Sequence, residues 1–194
     1  IAGGAAFTNG GATQQQGFEF TGQIDSGSVF RSPHNLYLRT AYTFLPTAEF
    51  RGMRLSSITS SATLNVYCPT TKRVSATNCS ITENRLPYAP RVLMTTSIGY
   101  SHPRGFDAFV ETVYIGRQFG DDLNAVNPNS NGQLGAIPSQ TYWNATANYR
   151  VEKWRTTFFV TGKNLLDRIY IVDRTRGLLP SAPRLVQTGI KVSF

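Results

Sequence analysis

Apolar and polar residues in this chain alternate with period two over stretches of about ten residues, a spacing that few folds accommodate. In segment 184–194, Val186, Thr188, Ile190, Val192 and Phe194 form an apolar-leaning set, while Leu185, Gln187, Gly189, Lys191 and Ser193 form a mostly polar or small one. Segment 142–151 repeats the pattern, with Trp143, Ala145, Ala147, Tyr149 and Val151 against Asn144, Thr146, Asn148 and Arg150. A helix mixes such sets on every face, whereas a strand separates them. Segments 17–25, 35–48 and 90–100 behave alike, through Phe18, Phe20 and Ile24, through Leu36, Leu38, Tyr42 and Phe44, and through Val92, Met94, Ile98 and Tyr100. Segments 107–118 and 155–166 are irregular: Phe109, Val113 and Ile115 share a side with Glu111 and Arg117, and Phe159 shares one with Thr161 and Lys163.

Seven antiparallel strands are therefore expected, and their length narrows the fold class. A tilted strand crossing a bilayer needs about 9 to 11 residues, more than the usual strand of a soluble sandwich. A sandwich would also need apolar residues on its inner face, where these strands carry Asn, Thr, Arg and Lys. The connections alternate in length: 26–34, 101–106 and 152–154 are short or moderate, and 49–89, 119–139 and 167–183 are long. Tight periplasmic turns and long external loops have this asymmetry, which sends the last strand down to a periplasmic end at Phe194. Tyr42, Phe44, Tyr100, Tyr114, Trp143, Tyr149 and Phe194 fall near strand ends, where rings lie at lipid headgroups. No apolar run reaches about 18 residues, which excludes a transmembrane helix and leaves a barrel open. The expectation is an all-β transmembrane barrel. Seven strands leave two bare edges that lipid cannot satisfy, so further strands must pair with them, upstream, in another chain or elsewhere. No signal-peptide pattern is visible in the opening residues.

The formal charge of +8 comes with scattered basic residues, such as Arg91, Arg117, Arg150 and Arg184 at strand ends. That is not the clustered footprint of nucleic-acid binding. Cys68 and Cys79 sit in a polar Ser/Thr/Asn-rich segment without a nearby His or third Cys, which favours a disulfide closing a surface loop over a metal site. His34 and His102, at expected periplasmic turns, have no nucleophile at a meaningful spacing, and Asp121-Asp122 lack the converging oxygens of a hard-metal site. No catalytic residue, metal site or cofactor is expected, and the chain does not read as an enzyme.

Specific motifs carry a resemblance. Gly11-Ala12-Thr13 with Gln16-Gly17-Phe18-Glu19-Phe20, Leu86-Pro87-Tyr88-Ala89-Pro90-Arg91, Asn164-Leu165-Leu166-Asp167-Arg168 followed by Tyr170, and Gly177, Leu179-Pro180 and Pro183-Arg184 stand in one order along the chain. Together they resemble the C-terminal barrel portion of TonB-dependent outer-membrane receptors, the siderophore receptors, and more loosely their ferric-citrate branch. Leu166 stands where that family commonly has an aromatic residue. The resemblance implies about the last seven strands of a barrel of about 22, lying in the bacterial outer membrane, with the plug domain and earlier strands absent from this chain. It implies uptake of a ferric siderophore or similar iron chelate, with a passive porin-like or structural barrel as the alternative. Implied partners are the remaining strands and plug, the TonB-ExbB-ExbD complex through that plug, the barrel-assembly machinery and lipopolysaccharide. An anionic chelate suits guanidinium groups, so Arg51, Arg54, Arg117, Gln118, Arg174 and Arg176 become candidate ligand contacts in the external loops. Phe194 is expected to anchor the periplasmic rim and serve assembly, with Trp143 and Tyr149 as further rim residues. Asn164, Leu165, Asp167, Tyr170, Pro183 and Arg184 are expected to shape the last loop.

Overall fold

The computed structural model describes residues 11–193. Seven long strands form one antiparallel sheet in strict chain order: β1 (Ala12–Asp25), β2 (Asn35–Arg51), β3 (Val92–His102), β4 (Phe106–Ile115), β5 (Gln140–Val151), β6 (Thr156–Lys163) and β7 (Leu185–Val192). Among the described residues, the outer edges of β1 and β7 have no strand partner. Phe194, the expected terminal anchor, lies outside the described residues. The first strand begins at Ala12, five residues before the alternating segment 17–25.

Cross-strand register sorts the side chains into two faces. Leu38 stands opposite Ile98, Ile98 opposite Val110, Val110 opposite Ala145 and Ala147 opposite Val160, so the apolar sets of neighbouring strands share one face. Large members of that face are well exposed, including Phe20, Ile24, Leu36, Ile98 and Ile190. From Leu36 to Phe44 the belt runs about 27 Å along the strand, which under barrel tilt covers a hydrocarbon layer. The other face is polar and internally bonded. Tyr37 donates to Asp107 at 3.1 Å, Asn144 to Glu111 at 3.0 Å and Arg39 to Gln23 at 3.1 Å.

The two irregular segments are resolved by this register. Phe109 and Phe159 do belong to the polar face, and each stands opposite a glycine, Gly99 and Gly189. The Phe159 ring lies where a Gly189 side chain would be, 2.5 Å from an added Cβ, and the Tyr37 ring covers Gly99 at 2.2 Å. An aromatic ring folded over a cross-strand glycine closes the gap that the missing side chain leaves in the sheet.

Near the top of β1 and β2 the pairing slips: Phe18 pairs with Phe44 but Gln16 with Thr47, so β2 holds an extra residue opposite Gly17. A bulge of this kind shifts the alternation by one. Below it the even positions of β2 form the apolar belt. Above it the even residues Ala48 and Phe50 are buried under the loops, and the odd residues Glu49 and Arg51 are polar. The apolar belt therefore ends at Phe18 and Phe44.

Candidate ligand vestibule between the long loops

All three long connections, 52–91, 116–139 and 164–184, leave from the same end of the sheet, and the short turns at 26–34, 103–105 and 152–155 lie at the other. The long connections carry their own structure: helix α2 (Ser61–Tyr67), after the short α1 (Ser26–Phe30), and three two-stranded ribbons. Ser60 caps α2 by accepting from the Thr63 amide, as a serine before a helix commonly does. Cys68 and Cys79 form a disulfide and join Phe50, Leu64, Ile81 and Leu123 in a small core beneath the loops.

Polar side chains bind the loops to one another. Asp121 accepts the amides of Ala125 at 3.0 Å and Gly135 at 2.9 Å, and burial pushes its carboxyl above the usual range. Asp122 accepts from Ser56 at 2.7 Å and from the Ser57 amide at 2.9 Å, tying the second loop to the first. Tyr88 donates to Asp173 and accepts from the Arg174 amide at 3.1 Å, tying the first loop to the third. The Tyr88 hydroxyl, followed by Thr175, holds the Asp173 carboxyl down at about 2. Arg174 is 4% exposed and donates to the carbonyls of Gly132 at 2.9 Å and Ala136 at 3.2 Å, tying the third loop to the second.

Several clefts open in this cap, and two of them lie between the first two long loops. The larger, about 790 Å³, has an apolar floor of Phe50, Met53, Leu55, Ile58 and Leu134, with Arg54 and Tyr88 among its polar members. The Arg54 guanidinium sits 4.6 Å above the Phe50 ring. The smaller, about 390 Å³, is lined by Glu49, Glu83, Arg85, Arg91, Arg117, Gln118, Phe119 and Asn124. A further apolar depression, floored by Ala108, Ala145 and Ala147, lies on the belt, where hydrocarbon fills it in a membrane.

The candidate arginines thus divide. Arg54 lines the larger cleft, and Arg117 and Gln118 the smaller. Arg51 is paired with Glu49 at 3.4 Å and Glu83 at 3.9 Å, Arg174 is enclosed by loop carbonyls, and Arg176 borders a separate cleft with Asp173 and Leu178. Trp143 lies opposite Thr112 near the loop end of the belt and Tyr149 opposite Phe106 at the turn end. The motif residues of the last loop behave as closures. Asn164, at φ 49°, donates to the carbonyls of Arg168 at 2.9 Å and Ala182 at 3.0 Å, and the Leu165 amide bonds to Trp143. Asp167 accepts the Arg184 amide at 2.8 Å just after Pro183, and Tyr170 donates to the Thr141 carbonyl at 2.9 Å. Sequence reasoning missed Arg85, Arg91 and Tyr88 as loop-cap residues, although Tyr88 and Arg91 stand inside a quoted motif. Asp121 and Asp122, the pair weighed for a cation, are instead occupied by loop amides and hydroxyls.

None of the curated proteins compared matches the sequence. Solved structures do match in fold. The unliganded ferric citrate transporter FecA superposes with a TM-score of 0.64 at 20% identity, over 92% of this chain and 24% of that one. The ferric-catecholate import receptor Fiu from Escherichia coli K12 gives 0.57 at 16%, over 91% and 20%. The siderophore receptor PiuA from Acinetobacter baumannii gives 0.52 at 16%, over 81% and 22%. The chain spans less than a quarter of the length of each. The family model described as "TonB dependent receptor-like, beta-barrel" matches residues 2–165. The match covers most of the alternating wall and the first two long loops, so this chain belongs to the TonB-dependent receptor-like β-barrel family, a family of outer-membrane receptors and not of enzymes.

Proposed function

We propose that the chain is the C-terminal part of a receptor barrel that takes up a ferric siderophore or similar iron chelate across the outer membrane, driven through TonB-ExbB-ExbD. The plug and the earlier strands of a barrel of about 22 come from the same polypeptide or a separate one. The observation that carries this reading is the gathering of all three long loops into one hydrogen-bonded cap at a single end of a lipid-compatible wall. A rigid cap of this kind preorganises a binding surface and so lowers the ordering cost of capture. Arg54 in the larger cleft, and Arg117 and Gln118 in the smaller, are the ligand-facing groups; Arg174 acts through the loops it holds. Arg51 and Arg176 flank them. The chelate meets the loops first, and displacement of the plug then opens the path; no bond is made or broken in the ligand. The barrel-assembly machinery reads the terminal segment ending in Phe194, and lipopolysaccharide surrounds the upper rim.

The test is uptake of radiolabelled ferric citrate and of a ferric catecholate by cells whose only such receptor contains this chain. Accumulation of one chelate that disappears when TonB is deleted is the expected result. Equal accumulation with and without TonB would favour a passive porin-like barrel and overturn the proposal.

A further inference from the structure

The smaller cleft has an unusual charge balance. Arg85, Arg91 and Arg117 line it together with Glu49 and Glu83. Both glutamates are drawn toward Arg51, at 3.4 and 3.9 Å. Among the described residues no carboxylate lies within ion-pair distance of the other three arginines. Arg85 is 8% exposed and places its side-chain nitrogens on the carbonyls of Ala89 at 2.8 Å, Pro46 at 3.0 Å and Leu45 at 2.7 Å. Two of these carbonyls belong to the residues that the β2 bulge displaces from the ladder, so Arg85 is fixed there by the fold. Burial, and then the neighbouring Arg91, make its charged form less favourable than in water, and Glu49, across a β-bridge from it, offsets this only in part. Carbonyls satisfy its hydrogen bonds without neutralising its charge.

Arg91 and Arg117 are placed by the wall. Arg91 precedes Val92 and its carbonyl accepts the Leu45 amide; Arg117 follows Ile115 by two residues, with its guanidinium 5.9 Å from the Phe119 ring. Both are thus held just above the upper limit of the apolar belt. Asn124 has no free polar group to offer, since it both accepts from and donates to the Arg85 backbone, at 2.7 and 2.8 Å. Arg91, Arg117 and Gln118 are left facing a cavity of about 390 Å³, which is room for a small charged group. Guanidinium groups present paired N–H donors that match a phosphate or carboxylate.

We propose that Arg91, Arg117 and Gln118, backed by the fixed charge of Arg85, form a seat for one oxyanion group, a phosphate or a carboxylate. For a free solute the seat rests on the transport reading, which already turns Arg117 and Gln118 toward the ligand; for a headgroup it stands apart from it. Its anion comes either from a lipid headgroup at the membrane boundary or from a free solute, and the two sources are separable.

The barrel containing this chain is reconstituted into nanodiscs and tested in two arms. In phosphatidylcholine discs, citrate and inorganic phosphate are titrated by calorimetry. In discs containing lipid A, the lipid A retained per barrel after washing is counted. The expected result is saturable binding in at least one arm, weakened about tenfold or more in the R91Q/R117Q pair and unchanged in R104Q/K153Q, which removes the same charge at the opposite rim. The R91K/R117K pair keeps the charge and loses the forked donors, so it binds several-fold more weakly than the parent; it decides the matter if the glutamine pair fails to fold. Binding in the first arm assigns a free anion and in the second a headgroup. Absence of saturable binding in both arms overturns the proposal, as does equal weakening by the two charge-removing pairs or parent-like binding by the lysine pair.

Discussion

Arg174 shows how much of the loop cap hangs on single side chains. Replacing it with alanine strands the carbonyls of Gly132, Leu134 and Ala136 in a buried site. The expected cost is about 2 to 4 kcal/mol, local to the loops. Hydrogen exchange in 130–137 and 171–178 should quicken in R174A while the strand amides keep their protection. Asp173 makes a pH-dependent contribution of determinable sign. Its carboxyl is held at about 2 against 3.8 unfolded, so its stabilisation is present above about pH 4 and is lost as pH falls toward 2. Exchange at 171–175, corrected for intrinsic rates, should loosen over that window in the parent; D173N should be loose throughout and indifferent to pH. At this scale the sequence was partly legible. Asn164 and Asp167 announced themselves as loop closures because short polar side chains bond to nearby backbone. Arg174 looked like a ligand contact because nothing local reveals that its carbonyl partners lie about 40 residues upstream.

The strands were legible from alternation because lipid on one side and polar groups on the other enforce it residue by residue. Phe159 blurred the pattern for a reason found only in the neighbouring strand, where its ring covers Gly189, whereas Phe109 stands opposite a Gly99 that the Tyr37 ring covers. A Gly99→Ala change drives a methyl into the Tyr37 ring and should cost about 1 to 3 kcal/mol, measured as a lower urea midpoint for the whole barrel. The bulge at Leu45-Pro46 was similarly hidden, since alternation simply stops at Phe44 and resumes out of phase. Inside the longest loop, the Cys68–Cys79 disulfide closes a separation of 11 residues. Its contribution is on the order of 3 kcal/mol by the chain-entropy account. Reduction should therefore open segment 61–82 to exchange and leave β2 and β3 unchanged.

For the molecule as a whole, the belt assigns one face to lipid, and adjacent residues test the assignment. Ile98 is 64% exposed on the apolar face, whereas Ser97 lies opposite Arg39 and Glu111 on the polar one. I98R should cost about 2 to 4 kcal/mol in a bilayer, and S97R far less, by reversible unfolding in liposomes. Among the described residues β1 and β7 end the sheet without a further strand partner, as the strand number leads one to expect, and backbone groups in hydrocarbon need such partners. The interlocked loops carry a different consequence, for how such receptors diverge and how they are engineered. A graft that exchanges one loop severs Tyr88 from Asp173, Ser56 from Asp122 or Arg174 from Gly132. Loops tied in this way are expected to change as a set, and a chimera that keeps the cap must transplant all three together.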